Sequence, residues 1–195
     1  MNNSLNKEND QFLATIKSTI GKDIIETKAF FNDYQIIVPS KKIFDVLTKL
    51  HSNSYFAFDQ LIDITAIDYP EKPTRFEVVY LLLSTISNQR LTVKIYVNEG
   101  ELVQSSVSIF KSANWSEREI WDMFGIFFKN HFNLRRILTD YGFEGHPLRK
   151  DFPLNGYLEV RYSENYKRII NESIELLQEY RTFNFFGAWE FHNNE

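Results

Sequence analysis

Three strand-like segments follow one another closely between residues 61 and 97, and their spacing restricts the fold more than any other feature of this chain. They read LIDITAID, RFEVVYLLL and RLTVKIYV, and they are joined by YPEKPT and STISNQ. Apolar and polar residues alternate in the first and third segments, whereas both faces of the second are apolar apart from Glu77. Connections of about six residues are too short for a helical crossover, so they favour antiparallel joins. The sequence therefore predicts a mainly antiparallel sheet whose middle strand is covered on both faces.

Amphipathic segments that precede these strands predict helices packed on the sheet. Phe12 to Ile20 and Ile43 to Leu50 place apolar residues at helical spacing. Residues 24–38 between them are typical of two short strands that turn at Asn32, and a further strand is predicted from Leu102 to Phe110. The predicted fold class is α+β, a mainly antiparallel sheet with helices packed on it, followed by an extended C-terminal tail with little regular structure.

The run SANWSEREIWDMFG carries the local signals of a short helix that ends at Gly125. Ser116 and Glu119 have the spacing of a capping box, which would begin the helix. Arg118 and Asp122 stand four residues apart and are predicted to pair on the helix surface. Glycine readily adopts the left-handed conformation that ends many helices, so we expect Gly125 to terminate this one.

Regular periodicity disappears after this helix. From about residue 130 to 161 neither a period of 2 nor one of 3.6 can be traced, while glycine, proline and aromatic residues recur, and only residues 166–180 predict another helix. A disordered tail would be poor in aromatic residues, so this tail is predicted to be ordered by burial, preferably on a partner protein. We therefore predict an α+β domain at 1–128 and an extended aromatic-rich docking tail at 129–195. The alternative is that the tail folds back on its own domain.

Composition excludes several classes of function. A net charge of -4 disfavours non-specific binding of nucleic acid or anionic lipid. The chain has no cysteine, so it cannot hold zinc or an iron–sulfur cluster through its own thiolates. No apolar run reaches the roughly 20 residues that span a bilayer, and no nucleotide-binding glycine motif or serine-nucleophile motif is present.

One catalytic alternative stays open at this point. His131 and His146, together with the carboxylates of Glu117 and Asp122, are residue types that bind catalytic metals. No two histidines stand at helical spacing in an HExxH pattern, so this signal is weak. The corresponding hypothesis is a stand-alone metal-dependent hydrolase.

Two consecutive runs resemble a known family. EREIWDMFGIFFKNHFNLRRIL and TDYGFEGHPLRKDFPLNGYLEVRY, which together span residues 117–162, closely resemble the signature of the 30-kDa subunit of respiratory complex I. The resemblance covers about residues 58–190. Three positions where the family usually has proline carry Phe132, Ser173 and Ala188. A related membrane-bound hydrogenase is a further possibility, but GFEGHPLRKDFPL resembles the respiratory enzyme better.

The resemblance implies a structural subunit without a catalytic site of its own. Such a subunit belongs to the peripheral arm of a proton-pumping NADH:quinone oxidoreductase and braces the 49-kDa quinone-site subunit and the neighbouring iron–sulfur subunits. It carries no cofactor, since FMN and the iron–sulfur clusters lie in partner subunits, and it is associated with the membrane only through the complex. The implied location is the matrix side of the mitochondrial inner membrane, or alternatively the cytoplasmic face of a bacterial inner membrane.

On this interpretation the tail docks on the partner through aromatic anchors, such as Phe143 and Phe152, and through charges that set the register. The residues predicted to dock are Arg135, Arg136, Asp140, Tyr141, Phe143, His146, Arg149, Lys150, Asp151, Phe152, Tyr157, Arg161 and Trp189.

Overall fold

A five-stranded sheet lies at the centre of the fold, in a computed structural model that describes residues 12–30, 33–176 and 178. Its strands, in the order β1-β2-β5-β4-β3, are β1 Glu26–Phe30, β2 Asp33–Ile37, β3 Gln60–Asp68, β4 Phe76–Ser84 and β5 Gln89–Val97. All neighbours are antiparallel except β2 and β5, which are parallel. The α+β class and the mainly antiparallel sheet are confirmed, and the one parallel pair is an addition that the sequence pattern did not predict.

The predicted two-sided burial of β4 is confirmed. Phe76 to Tyr80 are buried without interruption, so both faces of β4, the strand between β5 and β3, are covered. Glu77, the polar exception, is only 4% exposed. Its carboxylate lies 2.9 Å from the Lys94 ammonium on β5, so the charge is paired where it is buried.

Three helices pack on this sheet: α1 at residues 12–20, α2 Ile43–Ser52 and α3 Ala113–Phe124. Their apolar faces join the sheet in one core. The Phe12 ring of α1 lies 4.3 Å from the Tyr34 ring of β2, and Val46, Leu47 and Leu50 of α2 are completely buried. None of the helices in the described part of the chain is long and apolar enough to cross a membrane.

The strand predicted from Leu102 to Phe110 is much shorter. Strand β6 covers Leu102–Gln104 and pairs in parallel with β7 Phe127–Lys129. Ser105 and Ser106 leave the strand because they bind a carboxylate on α3, a long-range contact that alternation of side chains cannot reveal.

The helix predicted at residues 166–180 is wrong over its described part. Strands β8 Leu158–Ser163 and β9 Arg168–Ser173 form an antiparallel hairpin instead. The signal for a helix was a spacing of four between Ile170 and Ile174, and four residues fit a period of 2 as well as one of 3.6. The adjacent β-branched pair Ile169 and Ile170 favours the strand. Leu177 and Tyr180, which also belong to that prediction, lie outside the described residues.

The chain divides into two compact units, Met1–Phe152 and Pro153–Glu195. The hairpin belongs to the second unit, and the sheet with its helices belongs to the first. Residues 129–152, which the sequence assigned to the docking tail, are part of the first unit. The docking role of residues 129–195 stays a prediction.

Candidate partner-docking site

Residues 130–152, which we call the wrap, are fastened to α3 and to the end of the sheet. Near the start of the wrap, a His131 ring nitrogen lies 3.2 Å from the Asn114 carbonyl at the beginning of α3. Further along, the Leu148 amide donates to the Met123 carbonyl at 3.0 Å. These contacts lie near opposite ends of α3, so the wrap follows the whole helix although it has almost no regular structure of its own.

The Asp122 carboxylate is the main polar anchor of the wrap. It is completely buried, and Oδ2 accepts hydrogen bonds from the amides of Ile137, Leu138 and Thr139 at 2.9 to 3.1 Å. Oδ1 accepts from the Thr139 hydroxyl at 2.5 Å and from Arg136 at 2.7 Å. Burial alone would raise the pKa of Asp122, but the bonds from Thr139, Leu138 and Arg136 outweigh it and hold the pKa far below its ordinary value.

Arg136 completes this anchor from the side of the wrap. Besides its ion pair with Asp122, it donates to the Gly145 carbonyl at 3.1 Å. Its guanidinium lies 5.6 Å from the Trp121 ring and 5.7 Å from the Phe143 ring, which are distances of cation–π contact. All of these contacts of Arg136 are with residues of the first unit.

The predicted pair between Arg118 and Asp122 is wrong. Arg118 is 7% exposed and donates to the carbonyl oxygens of Arg135 and Arg136, at 3.1 and 3.3 Å. A buried carboxylate and a buried guanidinium on neighbouring turns thus both hold wrap backbone instead of each other. Helical spacing allowed the pair, but the backbone donors and acceptors of the wrap offered both groups more hydrogen bonds.

The predicted capping box is also wrong. Helix α3 begins at Ala113, so Ser116 lies inside its first turns, and its hydroxyl donates to Asp63 on β3 at 3.2 Å. Glu119 is exposed and lies beyond the N-terminal turn. The predicted end of the helix is confirmed, because Gly125 adopts φ +76° there.

Glu117, which the sequence offered as a metal-binding carboxylate, is completely buried. Its carboxylate accepts from the Ser105 hydroxyl and from both the amide and the hydroxyl of Ser106, each at 2.7 Å. Burial raises the pKa of Glu117, and the three hydrogen bonds offset only part of that rise. The serines precede Glu117 by more than ten residues, so local spacing gave no sign of this cluster.

Gly125 is required for a second reason, since His146 and Arg149 of the wrap pack against it. The Arg149 Nε donates to the Phe124 carbonyl at 2.6 Å, and the His146 Nδ1 donates to the Asp122 carbonyl at 2.9 Å. A Cβ on Gly125 would lie only 2.5 Å from Arg149 Nη2 and 2.6 Å from His146 Nε2. Burial, followed by the nearby positive charges, lowers the pKa of His146, so the ring is neutral at physiological pH.

The end of the wrap is held by an ionic cluster of Arg75, Asp68, Glu99, Arg149 and Asp151. Arg75 binds both oxygens of the buried Asp68, at 2.8 and 2.9 Å, and this hydrogen bonding lowers the pKa of Asp68. Glu99 lies between two arginines, 2.6 Å from Arg149 and 3.3 Å from Arg75. Arg75 also pairs with Asp151 at 2.9 Å. The cluster links the wrap to the ends of three strands.

The two predicted aromatic anchors contact each other within the chain. The rings of Phe143 and Phe152 lie 5.8 Å apart. Gly145 adopts φ +98° beneath Phe152, and a Cβ there would lie 2.8 Å from that ring. Both side chains are half-buried before any partner is present.

The structure therefore divides the predicted docking residues into two groups. Half-buried within the first unit are Arg136, Phe143, His146, Arg149 and Phe152. Exposed are Arg135, Asp140, Tyr141, Lys150, Asp151, Tyr157 and Arg161, whereas Trp189 lies outside the described residues. The docking role of both groups stays a prediction.

Sequence reasoning missed the outward apolar residues of the wrap. Phe132, Leu138 and Leu148 are 73%, 62% and 50% exposed, and Tyr141 of the same segment is 88% exposed. The wrap thus holds Arg136 and Arg149 against the first unit while these four large apolar groups are exposed. An exposed set of large apolar side chains is the usual mark of an interaction surface.

The residues of the hydrolase alternative are engaged elsewhere. Glu117 binds serines, Asp122 binds the wrap, and His131 and His146 each bond a backbone carbonyl. Within the described ranges no three metal-binding side chains come together. The alternative therefore has no support.

Comparison with known proteins agrees with the resemblance. Residues 36–158 match the family described as the respiratory-chain NADH dehydrogenase 30 Kd subunit. This chain belongs to that family. Its relative from the NADH-quinone oxidoreductase of Rhodospirillum rubrum is 49% identical over 91% of this chain and 83% of its own length. The corresponding NADH-quinone oxidoreductase chain of Brucella abortus is 48% identical over 90% and 87%.

Two solved structures share the fold with this family member. A trypsin-resistant fragment of Nqo5 has a TM-score of 0.54 and 26% identity, and it covers 64% of this chain and 98% of its own. A chain in the structure of the membrane-bound sulfane sulfur reductase, an archaeal respiratory membrane complex, has a TM-score of 0.64 and 26% identity. That match covers 75% of this chain and 86% of the other.

We predict that Asp122→Asn lowers the free energy of unfolding at pH 7 by about 3 kcal/mol, because it leaves buried donors on the wrap without a charged acceptor. The pKa of Asp122 is depressed, so this stabilisation is complete above the ordinary value of 3.8 and is lost as the pH falls toward the folded-state pKa. Urea unfolding followed by circular dichroism measures the difference. The exposed control Asp140→Asn should stay within about 0.5 kcal/mol of the wild type.

We predict that Gly125→Ala lowers the free energy of unfolding by at least as much as Asp122→Asn does. Gly125→Ala meets both a left-handed backbone, which costs about 1–2 kcal/mol, and the His146 and Arg149 side chains. Gly100 has the same left-handed backbone, with φ +80°, and open space where a Cβ would lie, so Gly100→Ala is the matched control. The thermal unfolding midpoints of both variants test this prediction. Equal midpoints would contradict the packing described for Gly125.

We predict that the free energy of unfolding of the Glu117→Gln variant, relative to that of the wild type, increases as the pH rises. Because the folded-state pKa of Glu117 is raised above 4.5, the folded protein retains the proton longer, and the wild type loses stability as the pH rises from about 4.5 through the folded-state pKa. Glutamine does not titrate, so the variant lacks this loss. Unfolding free energies of both proteins between pH 4.5 and 8 test this, and a difference that does not vary with pH would contradict it.

Proposed function

We propose that this protein is the 30-kDa-type subunit of a NADH-quinone oxidoreductase and serves as a structural component of its peripheral arm. Its family and the names of its relatives support a place in a respiratory assembly of the complex I type. The enzyme passes electrons from NADH to quinone, and this chain contributes surface and position rather than a catalytic site. The observation that carries this proposal is the exposed apolar face of the C-terminal hairpin.

The hairpin of β8 and β9 has two unlike faces. Directly opposite residues of an antiparallel pair share a face, and Leu158, Val160, Tyr162 and Ile169 fall on the same one. Their side chains are 60%, 69%, 59% and 68% exposed. A single two-stranded hairpin is marginally stable in water, and one with an uncovered apolar face is stabilised by whatever covers that face.

The other face is polar and suited to water. Glu159 and Glu172 stand opposite each other, and Arg161 binds both oxygens of Glu172, with one contact of 2.7 Å. Exposed ion pairs of this kind add little stability but keep a surface soluble. The asymmetry between the faces favours a partner on the apolar side.

A groove beside the hairpin adds to this surface. It has a volume of about 520 Å³ and is open to solvent, and its walls include Leu154, Tyr157, Ile174 and Leu176. An apolar side chain of a partner would fit such a groove, as buried anchors do at the centres of protein interfaces. In the first unit, Phe132, Leu138, Tyr141 and Leu148 of the wrap offer further apolar area.

The partner that we propose is the 49-kDa subunit, together with the neighbouring iron–sulfur subunits. The support is the resemblance of residues 117–162 to the family signature. FMN and the iron–sulfur clusters belong, on this proposal, to partner subunits, which agrees with the lack of cysteine in this chain. The relatives named above are bacterial, which favours the cytoplasmic face of a bacterial inner membrane over the mitochondrial matrix side.

We expect Tyr162→Thr to weaken incorporation into the complex about tenfold, because an exposed tyrosine at an interface often contributes more than 1 kcal/mol to binding. Threonine keeps a high strand propensity, so the hairpin itself is retained. The measurement is the amount of this chain in detergent-solubilised complex from membranes, with NADH:quinone reductase activity assayed in parallel. Glu159→Thr, on the polar face of the same strand, is the control. Equal losses for both variants, or none for either, would contradict a docking role of the apolar face.

A further inference from the structure

The last charged residue of the first unit forms an exposed ion pair, and folding of the core does not depend on this pair. Asp151 lies one residue before Phe152, where the first unit ends, and its carboxylate is 2.9 Å from Arg75 Nη2. The Asp151 side chain is 62% exposed. An exposed ion pair contributes roughly 0.2–1 kcal/mol, which is too little to decide whether a domain of this size folds.

Arg75, by contrast, has several partners besides Asp151. It binds both oxygens of Asp68, whose side chain is completely buried, and it lies over the Phe76 ring at 5.2 Å. The Arg75 side chain is only 17% exposed. A rigid cation therefore faces an exposed anion at the end of the wrap.

The backbone around Asp151 already follows the surface of the first unit. The Lys150 amide donates to Asp68 at 2.8 Å, and the Phe152 amide donates to the Arg149 carbonyl at 3.1 Å. Loss of the ion pair would therefore loosen the last residues of the wrap without unfolding the sheet. The charged groups that face Asp151 are Arg75 and Arg149, and hydrogen bonding to Arg75 lowers the pKa of Asp151, so the carboxylate is ionised at physiological pH.

We infer that the pair of Arg75 and Asp151 is a positioning latch, which keeps the last residues of the first unit ordered and thereby lowers the cost of docking the residues that follow. The inference rests on the proposed docking function of residues 153–195. Its physical basis is that a partner binds more weakly when only a fraction of the molecules hold the last residues of the wrap in the ordered conformation. The latch raises that fraction by a small amount.

The test compares three variants of the full-length chain. Asp151→Asn removes the charge, Asp151→Glu retains it, and Asp45→Asn breaks another exposed ion pair, that with Lys42 on α2, as the matched control. Hydrogen exchange of the purified chains follows the amides of Lys150 and Phe152. Incorporation into the complex is measured in membranes at limiting expression of each variant.

For Asp151→Asn we expect about threefold faster exchange at these two amides, unchanged exchange in the sheet, and a fall in incorporation of about the same factor. Asp151→Glu and Asp45→Asn should behave as the wild type. Unchanged exchange, or faster exchange with full incorporation, would overturn the latch. A fall in incorporation without faster exchange would also overturn it, since Asp151 would then contact the partner directly.

The proposed function can fail separately. If Tyr162→Thr leaves incorporation intact, the apolar face of the hairpin is not the docking surface and the latch has nothing to prepare. If Tyr162→Thr lowers incorporation and Asp151→Asn does not, docking stands and the latch is wrong.

Discussion

The buried Asp122 carboxylate is the polar interaction on which the wrap depends most. A segment without helix or strand has backbone donors that no ladder satisfies, and burial of such donors is costly unless an acceptor is supplied. Asp122 supplies one to three consecutive amides of the wrap and accepts an arginine and a hydroxyl as well. The wrap can follow α3 closely because a single ionised side chain takes the place of regular secondary structure.

In a typical surface segment, charged side chains face the solvent and apolar side chains are buried, whereas several residues of the wrap do the reverse. Arg136 and Arg149, which a partner could have bound, are engaged inside the first unit, while Phe132 and Leu138 face outward. On the proposed function, such a segment would offer its neighbour apolar area on a backbone that is already ordered. Binding then costs less conformational entropy than it would for a tail that orders only on contact.

The C-terminal hairpin differs from the wrap, because no residue of its strands belongs to the described core. Leu158 and Tyr162 alternate with Glu159 and Arg161, so one face is polar and the other presents exposed apolar side chains, which the proposed function assigns to a partner. Structural subunits are stabilised by the assemblies that they stabilise, since anything that binds only the folded form adds to its apparent stability.

The sequence by itself determined the features that depend on near neighbours. These are the burial of β4, the antiparallel joins between β3, β4 and β5, the end of α3 at Gly125, and the family signature in residues 117–162. Tertiary structure alone decided which groups Glu117, Arg118 and Asp122 bind, and whether residues 168–173 form a strand or a helix. Periodicity reports which face of a segment is apolar, and it holds no information on the distant donors that reach a buried charge. Those donors are distant in sequence and reach the buried charges only when the chain folds. The local pattern therefore identified the charged residues of the site but predicted the wrong partners for them.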